Sequence, residues 1–218
     1  MDYNIQVVRK RIKNLYIRLY PANGSVRVSV PLRLPEEAVL KFIESKEDWI
    51  KKHLVKPIPT KIKTYEDGEL HPLLGQNYPL KIVEAKKRRA NFTEGFIVLS
   101  LRQGDGLPHK IALLDNYYKA LLLKALPELA RKWTEKMGVT VKLWRTRKMK
   151  SRWGSANPAK GIVCINIELM KKEPRFLEYI VVHELAHFFE RGHNARFYAC
   201  MDRFLPDWRV LRKQLNRF

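Results

Sequence analysis

Five residues, His183-Glu184-Leu185-Ala186-His187, constrain this chain most, because they lie inside the apolar run IVVHELAHFF. Such a run is expected to be buried, and a buried imidazole or carboxylate needs a partner. On a helix, positions i and i+4 share one face, so both imidazoles can reach one ion while Glu184 stands beside an open coordination position. That is the metal-plus-base pattern of zinc hydrolases, in which water is activated and Glu184 takes its proton. The competing reading is a core helix whose histidines are satisfied internally and whose Glu184 is paired with an arginine.

A third histidine favours the metal. His193 follows His187 by six residues, the interval of the H-E-x-x-H-x-x-G-x-x-H pattern, and Gly192 before it suits a turn that ends the helix and brings the chain back. His183, His187 and His193 then form a three-imidazole site for one zinc ion per chain, with the fourth position left for water, as in catalytic sites. Iron, nickel, cobalt and manganese also suit three imidazoles. Glu190 stands where that pattern has glycine; at helical spacing it is a further ligand, a residue that orients one, or a solvated acid at the helix end. Asp202 and Asp207 are remoter candidates for the third ligand.

Charge bears on the partner. The chain has 218 residues, with 43 Lys and Arg against 22 Asp and Glu, a formal net charge of +21. Such an excess suits an anionic partner such as nucleic acid, nucleotide or a phosphorylated ligand, or else a diffusely basic surface. Two clusters stand out: Lys86 to Arg89, and Lys142, Arg145, Arg147, Lys148, Lys150 and Arg152, with no acid among the latter. The second precedes the segment SRWGSANPAKGIVCIN, and Arg145, Arg147, Arg152 and Trp153 are candidate substrate-binding residues. Two substrate classes follow: a peptide added to a sheet edge, or a phosphoanhydride or nucleotide drawn by the cations. A third reading, from another class, is a non-catalytic nucleic-acid-binding protein in which Trp144 and Trp153 stack on bases. Cys164 and Cys200 are the only cysteines and have no metal-site spacing, and no apolar stretch suggests a membrane span. The chain reads as cytoplasmic, with no membrane partner.

Residues 14–20 and 25–30 alternate in period two around PANG, which predicts a hairpin, and a helix is expected from Pro35 to about His53. KPIPTKIK (56–63) reads as a linker, and 68–101 as a small antiparallel sheet. A long helix follows from Pro108 and ends at Gly138. Strands are expected at 139–144 and 161–169, then helices over about 174–190, from near Asn194, and after Pro206. The fold class is therefore α+β: a strand-rich amino-terminal region (1–106) with one helix, and a helical, zincin-like region (107–218) carrying the H-E-x-x-H helix, either two domains or one continuous domain.

RWGS (152–155), VVHELAH (181–187), GHNARF (192–197) and the closing LPDWRVLRKQLN (205–216) together resemble the YgjP-like metal-dependent hydrolases, which are distantly similar to SprT-like and WLM metallopeptidases. The resemblance covers nearly the whole chain. It implies a zincin-type metal-dependent hydrolase in which His183, His187 and His193 hold the metal and Glu184 is the general base. One departure is Ala156, where the family usually has cysteine; none of the implied ligands is affected.

Overall fold

The computed structural model describes residues 4–20, 24–54 and 63–216. The chain divides into two compact units, 1–63 and 64–218. Most of the expected linker, 56–62, lies outside the described residues, as do Pro21 to Asn23 of the expected hairpin turn.

In the first unit, β1 (Asn4–Lys10), β2 (Tyr16–Tyr20) and β3 (Ser25–Pro31) form a sheet in the order β1-β3-β2. β2 and β3 pair antiparallel, as the alternation predicts, whereas β1 pairs with β3 in parallel. Val26, Val28 and Val30 project from one face onto Val39, Ile43 and Ile50 of two helices, α1 (Glu36–Glu44) and α2 (Glu47–Leu54). The single helix expected here is split because the Ser45 hydroxyl donates to the Phe42 carbonyl (2.8 Å), competing with the backbone ladder.

The second unit holds two sheets and four α-helices among the described residues. β4 (Leu70–Leu73), β5 (Gln76–Glu84), β6 (Arg89–Thr93) and β7 (Phe96–Leu101) take the order β4-β5-β7-β6. This sheet is mixed rather than antiparallel, since β5 runs parallel to β7. Next comes α3 (Leu107–Met137), which buries Leu114, Tyr118, Leu122, Leu126, Ala130, Trp133 and Met137, a stripe at steps of three or four. Gly138 closes it in the left-handed conformation (φ 66°), as expected. The stripe shares one core with Leu73, Leu80, Ile97 and Leu99 of the preceding sheet. Residue 107 therefore begins a helix inside a unit that starts at Thr64.

The second sheet, β8 (Leu143–Arg147), β9 (Gly154–Asn157) and β10 (Ile162–Asn166), has the order β8-β10-β9, which leaves β9 at an edge. Three helices follow: α4 (Pro174–Ala186), α5 (Ala195–Phe204) and α6 (Trp208–Leu215). α4 is fixed to α3 by a hydrogen bond from Trp133 Nε1 to the Glu178 carboxylate (2.9 Å). The architecture is α+β. No described helix is long and apolar enough to cross a membrane.

Candidate metal centre

Helix α4 is buried on almost every side, with Phe176, Leu177, Ile180, Val181, Val182, Leu185 and Ala186 in the core. Burial fixes its rotation, so His183 and His187 emerge together at its one open stripe. The regular helix stops at Ala186 rather than near 190. The amides of Phe188 and Phe189 bond three residues back, to Leu185 and Ala186. This tighter turn places the Glu190 carbonyl 3.2 Å from His187 Nδ1. A carbonyl only accepts, so His187 carries its proton on Nδ1 and presents Nε2 as a lone pair. Gly192 does not adopt the left-handed conformation expected of a helix terminator.

His193 completes the group: ligand atoms of His183, His187 and His193 all lie within 4.8 Å of one another. The Nε2 atoms of His183 and His193 are 3.2 Å apart. Ligands at about 2.0–2.1 Å in tetrahedral geometry stand about 3.3 Å from one another, so the His183–His193 pair is spaced as two ligands of one zinc-sized ion would be. Two imidazole nitrogens facing each other this closely need a proton or a cation between them. Burial, helped by His187, His193 and Arg212, pushes His183 down to about 3, and burial with His187 and Arg212 lowers His193 as well, so both rings stay neutral, the form in which an imidazole coordinates a metal. The chemistry of the set therefore fits a metal cation.

Phe197 holds the trio in place. Fully buried on α5, its ring lies 5.0, 4.8 and 4.6 Å from the His183, His187 and His193 rings. Asn194 sets the start of that helix by accepting from the Phe197 amide (3.2 Å), the N-cap the sequence predicts.

Glu184 leaves the same helix toward β9 and is 5% exposed. Its approach depends on Gly154: a Cβ there would lie 2.5 Å from Glu184 Oε1. Burial pushes the Glu184 carboxyl up to about 8, against the pull of Arg152. A dication at the histidines would reverse this by favouring the carboxylate.

A cleft of about 660 Å³ opens over these groups, with β9 along one wall and Arg152, Arg191 and Arg212 around it. Glu184 is the only acid in its lining, and no ion pair engages the three arginines among the described residues. Of the basic run, Arg152 and Trp153 thus reach the cleft. Arg145 and Arg147 do not; they line a separate depression with Lys119 and Lys160. The expectation that the whole run approaches the histidines is corrected here: in a strand, residues 145 and 147 share the sheet face turned away from α4. Lys148 is bound to Asp115 (2.7 Å) and Trp144 is half-buried against the core.

The acids considered as ligands are otherwise engaged. The Glu190 carboxylate turns to the Gly192 amide (3.4 Å), so this residue touches the site through its main chain. Asp202 accepts from Trp208 Nε1 (2.8 Å) and from Arg209, and neither it nor Asp207 joins the histidine group. Ala156 lies on β9 in the cleft wall, two residues from Gly154. Sequence reasoning missed Arg191, Arg212 and Phe197. For Phe197 and Arg212 the only local signal was their place in GHNARF and the closing segment.

A buried carboxylate and three converging imidazoles under an open cleft belong to the class of metal-dependent hydrolases. The family described as YgjP-like, metallopeptidase domain, matches residues 13–218, and the chain belongs to it. Two solved structures are similar in part. One is the metallopeptidase zymogen of Pyrococcus abyssi abylysin, at 18% identity and a TM-score of 0.37, over 40% of this chain and 89% of that one. The other is the metallopeptidase zymogen of Methanocaldococcus jannaschii jannalysin, at 14% identity and a TM-score of 0.37, over 41% and 92%. No curated protein matches the sequence.

Proposed function

We propose that the chain is a zinc-dependent peptidase with one zinc ion per chain, held by His183, His187 and His193, and with Glu184 as general base. The observation that carries this reading is the convergence of three imidazoles, with the Nε2 atoms of His183 and His193 3.2 Å apart, in the cleft that the buried Glu184 carboxylate also lines. When bound, the ion supplies Lewis acidity to the scissile carbonyl and acidifies water. Glu184 accepts the proton of the attacking water and passes it to the leaving amine. An extended peptide lies along the free edge of β9, whose other edge is paired to β10, and main-chain hydrogen bonds hold it over the histidines. Trp153 and Arg152 line the cleft beside that edge, and Arg152, Arg191 and Arg212 bind anionic groups flanking the scissile bond.

The three arginines also favour a second reading, hydrolysis of a phosphoanhydride such as a nucleotide, because a neutral peptide needs no such charge. Quenched fluorescent peptides and nucleoside triphosphates, offered to wild type and Glu184→Gln, separate the two. The variant should keep its metal and lose peptide turnover by about 10²–10⁴-fold. Equal turnover removes the role of Glu184. Phosphate or diphosphate release without peptide cleavage replaces the first reading by the second.

A further inference from the structure

The first unit carries a surface that the hydrolytic centre does not explain. With Val26, Val28 and Val30 turned to the helices, register assigns Gln6, Lys10, Tyr16, Arg18, Tyr20, Ser25, Arg27 and Ser29 to the other face of the sheet. Charge is sorted across this unit. Its five described acids, Glu36, Glu37, Glu44, Glu47 and Asp48, all lie on α1 and α2, and the three strands contain none. Arg18 and Arg27 face each other across the β2–β3 pair. Two rings flank them on β2: Tyr16, 56% exposed, and the half-buried Tyr20, over which the Arg27 guanidinium stands at 5.4 Å. Arg27 is held by its Nε–H to Gln6 Oε1 (2.9 Å), which fixes the guanidinium plane.

Two rings on one strand, about 13 Å apart with an arginine midway, match a chain that alternates flat bases with phosphates. Exposed rings gain little from a duplex, where base faces are already stacked; they gain from bases splayed out of a single strand. A polyanion without bases would leave the tyrosines unused. We propose that the open face of the β1-β3-β2 sheet binds single-stranded nucleic acid, with bases on Tyr16 and Tyr20 and phosphates on Arg18 and Arg27. This site is independent of the metal centre and of the hydrolytic reading.

The test uses the full chain and a fluorescent oligothymidylate of about 20 nucleotides, longer than a single-module footprint, with the matching duplex as comparison. Tyr16→Ala should weaken binding by about tenfold, within the range for one stacked base, whereas Tyr16→Phe should retain it. Arg18→Gln and Arg27→Gln should each lower the slope of log affinity against log salt by about 0.7, one phosphate contact on a single strand. Arg145→Gln/Arg147→Gln removes equal charge elsewhere and should weaken binding less than Arg18→Gln/Arg27→Gln; thermal melts confirm that each variant is folded. The proposal is overturned by any of four results: no binding at low salt, duplex bound as tightly as single strand, Tyr16→Ala equal to wild type, or equal losses from the two arginine pairs.

Discussion

Along α4, His183 and His187 leave a buried helix one turn apart and meet His193 over a single point, while Glu184 enters a slot made by a glycine. Along the basic segment from β8 into β9, five cations divide: Arg145 and Arg147 line one depression, Lys148, Lys150 and Arg152 line another, where Lys148 is bound to Asp115, and Arg152 also reaches the cleft. The difference is one of geometric stiffness. A buried helix has one rotation and a fixed i, i+4 relation, so composition at that spacing becomes a site. A strand alternates its side chains and a loop follows its anchors, so a run of like residues has no common target. Here the loop is tied down by Asn166, which donates to the Met149 and Arg152 carbonyls (both 2.9 Å).

Gly154→Ala should displace Glu184 and lower kcat/KM by about 10²–10⁴-fold, as loss of a general base does, with metal content preserved; wild-type turnover on the peptide assay would mean the carboxylate needs no slot. Phe197→Ala should cost about 3–5 kcal/mol of stability, read by urea unfolding, because it empties a fully buried ring from behind three imidazoles. It should also loosen the metal in a chelator competition.

A pH series sharpens the same point. In chelator-treated protein the folded Glu184 carboxyl titrates near 8 against an ordinary 4.5. Below 4.5 the carboxyl is neutral in both states and costs nothing. Between 4.5 and 8 the unfolded chain has released this proton while the folded chain still holds it, so stability falls across that window and the loss is complete above 8. Glu184→Gln should therefore melt several degrees above the metal-free wild type at pH 8–9, with the gain vanishing near pH 4.5; a gain independent of pH would point to packing instead. The smallest effect should separate the arginines. For peptides with acidic residues beside the scissile bond, Arg152→Gln or Arg212→Gln should raise KM about tenfold, the loss of one charged hydrogen bond, whereas Arg145→Gln/Arg147→Gln should leave KM within about twofold.

Much of the site was legible because it is local. The histidine spacing, the Asn194 cap, the Gly138 stop and the β2–β3 hairpin are each set by residues within a few positions of one another. What was not legible depends on contacts distant in sequence. Nothing near Phe197 announces that its ring backs all three imidazoles, and nothing near Arg212 places it over a cleft whose floor lies on α4. The parallel pairings β1–β3 and β5–β7 are likewise invisible to period-two alternation, which reports a strand but not its neighbour. The continuity of the core across residue 107 follows from side chains on β7 meeting the α3 stripe, again a long-range fact.

α4 and the turn after it bring together the three histidines of the candidate metal site. Elemental analysis of protein purified without added metal, beside His187→Ala and His193→Ala, tests it directly. About one zinc per chain is expected in the wild type, with loss of the metal in both variants. No metal in the wild type even after zinc is offered, or zinc undiminished when His193 is removed, would contradict this.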